Sequence, residues 1–99
     1  MPDLPVVAVL VARSGHEPVL RDALTALVAP TLQEEGCLAY ELFESAATPG
    51  TFVTVERWRA QADLDAHLAS EDIATALAAT EGHLAGDVAI HPLRPVPSA

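Results

Sequence analysis

Residues 35–70 read EGCLAYELFESAATPGTFVTVERWRAQADLDAHLAS, and this stretch decides the fold. Leu38 to Ser45 and Phe52 to Trp58 are rich in apolar and aromatic residues, which is typical of strands. Between them, Thr48-Pro49-Gly50 has the composition of a turn, so we predict a β-hairpin. Ala62 to Ala69 is predicted to be a short helix. The hairpin therefore leads directly into a helix.

Apolar residues extend this arrangement in both directions along the chain. Val6 to Ala12 is a continuous apolar run, the pattern of a strand that is buried on both faces. Apolar residues at helical spacing predict a helix from Glu17 to Gly36. Ser70, followed by acidic residues, has the features of an N-cap for a helix that runs to about Thr80. Asp87 to Leu93 is predicted to be the last strand.

The resulting order, β-α-β-β-α-β, predicts a ferredoxin-like α+β fold, in which helices cover one face of an antiparallel sheet. We assign residues 1–94 to a single domain and residues 95–99 to a proline-rich tail. The first strand is apolar on both sides, so the uncovered face of the sheet would be a large apolar patch. We therefore expect a homodimer that packs sheet to sheet.

Composition excludes several classes of partner. The chain has 99 residues, is 51% hydrophobic and carries a net charge of −9, with five Arg and no Lys. Nucleic acid and anionic lipid both require clustered cations, so we expect neither nucleic acid nor a membrane as a partner. No apolar run is long enough to span a membrane, and we find no export signal. The expected location is the cytoplasm.

Short patterns in the central stretch carry a family resemblance. In and around Glu35–Tyr40, Phe52–Trp58 and Leu64–Ser70, the chain shows E-x-G-C-x-x-Y, E-x-W and H-L-x-S. At these intervals the chain is similar to the antibiotic biosynthesis monooxygenase family, especially to its quinol monooxygenase branch. The resemblance spans roughly Val6 to Leu93. It implies a dimeric α+β barrel with a pocket between sheet and helices, and oxygenation of phenols or quinols, often without metal or flavin.

Resemblance transfers fold better than chemistry, because members of this family include oxygenases, isomerases and haem-degrading enzymes. Our first hypothesis is a cofactor-independent monooxygenase or oxidase that acts on a small aromatic quinol or polyphenol with molecular oxygen. The alternatives are a non-catalytic dimeric ligand-binding module and an isomerase on the same scaffold. Haem degradation is not expected, because Ala74 to Leu77 contain no His where haem-degrading relatives carry their iron ligand.

His67 is the main catalytic candidate. It lies on the apolar side of its helix with Leu64 and Leu68. Asp63 precedes it by four residues, so this carboxylate could reach the imidazole and hold one tautomer. We expect His67 to act as a general base that Asp63 assists. The alternative is a core histidine bonded to a backbone carbonyl.

Further residues are predicted to bind the substrate. Tyr40 and Trp58 offer rings that could stack on a planar molecule, although both could instead fill the core. Glu56 is an acid between apolar neighbours in a strand, so it must find a partner or line a wet cavity. His91 in the last strand could also face the pocket.

We expect neither a metal nor a cofactor. The four His, at positions 16, 67, 83 and 91, include no pair at the spacing of a helical metal site. The single Cys excludes a Cys-based zinc site, and the chain lacks a glycine-rich nucleotide-binding loop. The substrate itself would then have to supply the electrons for oxygen.

Overall fold

The structure is a computed structural model that describes residues 3–98. Its elements are β1 (Leu4–Val11), α1 (Glu17–Leu32), β2 (Cys37–Glu44), β3 (Thr51–Trp58), α2 (Gln61–Leu68), α3 (Glu71–Thr80) and β4 (Ala89–Pro92). This order confirms the predicted ferredoxin-like arrangement, with both predicted short helices in the second connection. Within the described range, no helix has both the length and the apolar composition needed to cross a membrane. Residues 1, 2 and 99 of the predicted domain and tail lie outside that range.

The strands form one antiparallel sheet of four strands in the order β2-β3-β1-β4. β1 pairs with β3 along its whole length and with β4 over Val6 to Val9. The predicted β2–β3 hairpin is confirmed, and its register makes Tyr40 and Glu56 direct cross-strand partners. Two side chains of the predicted site therefore meet on neighbouring strands.

Alternation along β1 separates the two faces of the sheet. Val6, Ala8 and Leu10 are buried, whereas Val7 and Val9 point to the opposite face. All three helices contribute side chains to the core on the first face. The second face, called the outer face below, carries an apolar row that crosses every strand: Ala89, Val9, Val53 and Phe43.

The connection between α1 and β2 is tighter than predicted. α1 ends at Leu32 rather than at Gly36, and residues 33–36 form a turn held by backbone hydrogen bonds. Gly36 has a φ of +84°, a conformation that residues with a side chain rarely adopt. A Cβ atom at Gly36 would also collide with the side chain of Asp63. Glycine therefore lets the start of α2 pack closely against this turn.

The two short helices differ at their N-termini. Ser70 caps α3 as predicted, because its hydroxyl oxygen accepts a hydrogen bond from the Ile73 amide at 3.2 Å. Ala60 holds the N-cap position of α2 in an extended conformation and has no side-chain acceptor. Burial of Leu64 and His67 therefore holds α2 in place without help from a cap.

Candidate functional site

A cavity of about 280 Å³ lies between the inner face of the sheet and the helices. Apolar side chains from both layers form most of its wall. The polar side chains in the wall are Tyr40, Thr54, Glu56, His67 and Thr80. The Thr80 hydroxyl donates to backbone carbonyls of α3. The Thr54 hydroxyl in turn donates to Glu56. A ligand would therefore find its polar partners among Tyr40, Glu56 and His67.

His67 is almost completely buried, and its Nδ1 atom lies 2.9 and 3.1 Å from the two carboxylate oxygens of Glu34. An ionised carboxylate only accepts hydrogen bonds, so this contact assigns the proton of the neutral ring to Nδ1. Nε2 then keeps a free lone pair, and His67 lines the cavity. The Glu34–His67 pair therefore offers a proton acceptor to a bound molecule.

The predicted contact between Asp63 and His67 is wrong. Asp63 lies in the first turn of α2, where its carboxylate oxygens accept hydrogen bonds from Arg59 at 2.7 and 3.1 Å. The same side chain packs over Gly36. Both carboxylate oxygens of Asp63 are thus bonded to Arg59, and Nδ1 of His67 is bonded to Glu34, although the spacing of four residues would allow Asp63 and His67 to meet. The carboxylate that contacts the imidazole is that of Glu34.

Glu56 is buried in β3 and has two protein donors. Its Oε2 atom accepts a hydrogen bond from the Thr54 hydroxyl at 2.6 Å, and its Oε1 atom accepts one from the Trp58 indole nitrogen at 2.9 Å. The three side chains share the inner face because they are two residues apart along the strand. A carboxylate has about four acceptor positions, so Glu56 can still accept a hydrogen bond from a ligand.

Trp58 is fully buried and does not line the cavity, contrary to the prediction that it stacks on the substrate. Its ring centroid lies 4.7 Å from that of His67, with 35° between the ring planes. Together with its hydrogen bond to Glu56, this contact makes Trp58 a support behind both polar groups. The core-filling alternative describes its position better.

Tyr40 lies in the cavity wall, with its ring 5.8 Å from the His67 ring in an edge-on arrangement. Burial, followed by the nearby negative charge of Glu56, raises the pKa of the Tyr40 phenol well above its ordinary value. The phenol therefore stays protonated at neutral pH. It can donate a hydrogen bond to a negatively charged oxygen in the cavity.

His91 lies on the outer face, contrary to the prediction that it faces the pocket. It pairs with Val7 across β4 and β1, and its side chain is exposed. The preceding residue, Ile90, lines the cavity instead. Side chains alternate along a strand, so a position one residue away from a lining residue points to the other face.

Of the residues predicted from the sequence, the structure brings Tyr40, Glu56 and His67 together at one cavity. Sequence reasoning missed Glu34 and Thr54. Glu34 is the first residue of the E-x-G-C-x-x-Y pattern, so that pattern contained the signal. For Thr54 the signal was weaker: it lies two residues before Glu56 in the same strand, so the two side chains share a face. Within residues 3–98, no group of three or more His, Cys, Asp or Glu side chains could hold a metal ion.

Comparison with known sequences gives the same family. The sequence model of the family described as "Antibiotic biosynthesis monooxygenase" matches residues 4–79. The chain is also 35% identical over 94 residues to the Mycobacterium tuberculosis protein named "Putative monooxygenase Rv0793". That match covers 95% of this chain and 92% of the relative.

Solved structures agree over nearly the whole chain. The structure of Rv0793 from Mycobacterium tuberculosis matches with a TM-score of 0.87 and 34% identity, covering 99% of each chain. The crystal structure of PA3566 from Pseudomonas aeruginosa matches with a TM-score of 0.89 and 32% identity, covering 98% of this chain and 97% of that one. Sequence and structure therefore agree that the chain belongs to the antibiotic biosynthesis monooxygenase family.

Proposed function

We propose that this chain is a monooxygenase or oxidase that oxidises a small aromatic quinol or polyphenol with molecular oxygen and needs no cofactor. The observation that carries the proposal is the Glu34–His67 pair in the wall of a largely apolar cavity. It supplies a base at the place where a planar phenol would bind. Membership of a monooxygenase family supports the reaction type, and the substrate class is our own proposal.

The first step is the removal of a phenolic proton. Nε2 of His67 accepts the proton, and the resulting imidazolium faces the Glu34 carboxylate, which stabilises its positive charge. The cavity holds substrate and base together, so the transfer requires no further encounter in solution. The product of this step is an electron-rich phenolate.

The phenolate then supplies the electrons. It passes one electron to dioxygen, and the substrate radical and superoxide combine to a hydroperoxide on a ring carbon. Loss of water leaves one oxygen atom on the ring, so quinol and dioxygen give a hydroxylated quinone and water. In the oxidase course, the quinol gives two electrons and two protons to dioxygen, which yields quinone and hydrogen peroxide. In both courses the proton on His67 returns to the reduced oxygen.

The other polar groups of the wall fit this chemistry. The protonated Tyr40 phenol can donate a hydrogen bond to the phenolate oxygen. Glu56 can accept a hydrogen bond from a second hydroxyl group, and quinols and polyphenols carry such a group. The apolar remainder of the wall limits the access of water to the radical pair.

Oxygen uptake with menadiol tests the proposal. In metal-free buffer with a chelator, the purified protein should consume oxygen, and His67→Ala should lower the rate by a factor of about 10²–10⁴. His91→Ala is the matched control, because this imidazole lies on the outer face and its loss should leave the rate close to that of wild type. Wild-type turnover from folded His67→Ala protein, or a requirement for added metal or flavin, would contradict the proposal.

The same assay separates the alternative functions. An isomerase would convert its substrate without oxygen uptake. A non-catalytic binding module would return its ligand unchanged after incubation. Either result, obtained with a ligand that binds in the cavity, would replace the oxygenase proposal.

We also propose that the molecule acts as a homodimer. The cytoplasmic location stays a prediction. The apolar row on the outer face, made of Ala89, Val9, Val53 and Phe43, supports the dimer. In a symmetric dimer the same patch faces itself, so a second copy offers this row an apolar surface of matching extent. Phe43 is half exposed in the single chain and would become buried.

A further inference from the structure

The cavity carries negative charge, and among residues 3–98 no arginine or lysine side chain forms part of its wall. Glu56 lines it, and the Glu34 carboxylate lies directly behind His67. All five arginines are outside the wall: Arg13, Arg21, Arg57, Arg59 and Arg94. The chain has no lysine that could take their place.

This charge arrangement selects against anionic ligands. A carboxylate, sulfonate or phosphate in the cavity would lose its hydration, find no arginine or lysine side chain and meet the negative charge of Glu56. A neutral hydroxyl group would instead donate a hydrogen bond to Glu56 or His67. The polar end of the cavity therefore fits an uncharged hydrogen-bond donor.

The polar groups and the cavity opening differ in depth. Tyr40, Glu56 and His67 are only 5%, 6% and 2% exposed, so they form the deep part of the wall. Leu68, Leu77 and Ile90 also line the cavity, but they are 39%, 54% and 40% exposed. These three side chains, called the apolar rim below, therefore form an opening that continues the apolar wall to the surface.

Size decides how much of a ligand the cavity can enclose. Its volume of about 280 Å³ is just below the range of about 300–1,000 Å³ that is typical for complete drug-sized ligands. A ring system fits inside, and a longer substituent would have to leave through the opening. Across the apolar rim, such a substituent would stay in contact with Leu68, Leu77 and Ile90.

We infer that the site binds an uncharged hydroxyaromatic ring that carries an apolar tail. The hydroxyl group points inward to Glu56 and His67, and the tail lies across the apolar rim. The inference rests on the proposed function, because it concerns the same site, and it narrows the substrate class. Simple phosphorylated or carboxylated aromatics are excluded, and tailed quinols and phenols are favoured.

Calorimetric titration with three naphthalene probes under anaerobic conditions tests this inference, because without dioxygen the proposed oxidation cannot take place. The probes are 2-naphthol, 2-naphthoate and 6-hexyl-2-naphthol. At neutral pH we expect 2-naphthoate to bind at least about tenfold more weakly than 2-naphthol, because it is charged. We expect the hexyl probe to bind at least about tenfold more tightly, since each fully buried methylene is worth about fourfold.

Variants connect each preference to its side chains. Leu77→Ser should remove most of the advantage of the hexyl tail, whereas Leu32→Ser, at an exposed leucine of α1 away from the cavity, should preserve it. Glu56→Gln, checked for folding by its melting curve, should narrow the gap between 2-naphthol and 2-naphthoate. Equal binding of 2-naphthoate and 2-naphthol would overturn the charge preference.

If the hexyl tail gives no gain in affinity, or if the gain persists in Leu77→Ser, the proposed role of the apolar rim is overturned.

The proposed function can fail independently of this inference. Absence of oxygen uptake together with the expected order of binding would reject the oxygenase and leave this inference standing. Conversely, the protein could oxidise anionic quinols without a tail as fast as neutral quinols with one. That result would support the oxygenase and overturn this inference about the ligand.

Discussion

The contact between Glu34 and His67 joins a turn to a helix, and it determines which ring nitrogen carries the proton of the neutral imidazole. Glu34→Gln removes the charge beside the imidazolium and offers Nδ1 an amide that can present either its oxygen or its nitrogen. We expect menadiol turnover to fall between about tenfold and 10⁴-fold. Asp63→Asn, which alters the pair with Arg59, should lower turnover far less.

Nitrogen NMR of the His67 ring gives a readout that a purely structural role of Glu34 would not change. In Glu34→Gln the balance between the Nδ1–H and Nε2–H tautomers should shift while the melting temperature stays near that of wild type. Glu34→Asp, which restores the charge, should recover part of the rate. Equal losses in Glu34→Gln and Asp63→Asn would contradict this assignment.

Tyr40 makes a second prediction at the same scale, because its pKa is raised by burial and by Glu56. It is the only tyrosine of the chain, so tyrosinate absorbance reports on it alone. In the unfolded chain the phenol ionises near pH ~10, and in the folded protein it ionises only at higher pH. The stabilisation is therefore complete below about pH 10 and is lost as the pH rises, by up to about 1.4 kcal/mol per pH unit.

Alkaline titration of the folded protein and urea unfolding at several pH values would measure this effect. Tyr40→Phe is the matched control, because it keeps the ring and removes the ionisable group. The free energy of unfolding of Tyr40→Phe should therefore lack the decrease above about pH 10 that ionisation of Tyr40 causes in the wild type. Ionisation of Tyr40 at its ordinary pH in the folded protein would refute the prediction.

Sequence reasoning found Tyr40, Glu56 and His67 because each is a polar side chain on the inner side of a correctly predicted element. Glu34 escaped because its contact with His67 spans 33 residues and depends on where α1 ends. His91 was misplaced because a shift of one residue in strand phase exchanges the two faces of a sheet. Such errors follow from register and turns, which residue type alone does not fix.

Helix caps provide the prediction at the scale of elements. Ser70→Ala removes the side-chain acceptor at the start of α3 and should destabilise the protein by about 1 kcal/mol. Ala60→Ser adds an acceptor at the start of α2, where the backbone is already extended, and should stabilise by up to about 1 kcal/mol. For a domain of this size, each change corresponds to a shift of about 4–8 °C in melting temperature.

Thermal melts of both single variants and the double variant would test these values. The two caps belong to different helices, so the double variant should lie close to wild type. A stabilising Ser70→Ala or a strongly destabilising Ala60→Ser would contradict the cap assignments. The sequence located the Ser70 cap correctly, because N-cap preference depends on residue type at one position. It placed the end of α1 four residues too late, at Gly36 instead of Leu32, because that end depends on the following turn.

For the whole molecule, the outer face leads to a prediction about assembly. Val9 lies in the middle of the apolar row, so Val9→Asp would place an unpaired charge in the proposed dimer interface. We expect the wild type to sediment as a dimer at micromolar concentration and Val9→Asp as a monomer. Leu32→Asp is the control, because Leu32 is exposed on α1 and away from the sheet face.

A monomeric wild type at that concentration would contradict the sheet-to-sheet proposal, and so would a dimer that persists in Val9→Asp.

The ferredoxin-like architecture followed from the order of the elements. Closure of a dimeric barrel concerns a second chain and stays a prediction. The feature of the sequence that predicts this dimer is the first strand, which is apolar on both faces.

Most polar side chains of the cavity wall come from a different part of the chain than the apolar side chains of α3 and β4. Tyr40, Thr54, Glu56 and His67 come from the hairpin and α2, whereas α3 and β4 supply apolar side chains such as Ile73, Leu77 and Ile90, with Thr80 bonded to its own helix. Mutation can therefore reshape the apolar side chains of α3 and β4 while the polar side chains of the hairpin and α2 stay intact. A lineage built on this scaffold could exchange one substrate for another through single apolar replacements, each neutral to the chemistry. Divergence within such a lineage should then accumulate in the last third of the sequence before it reaches the hairpin.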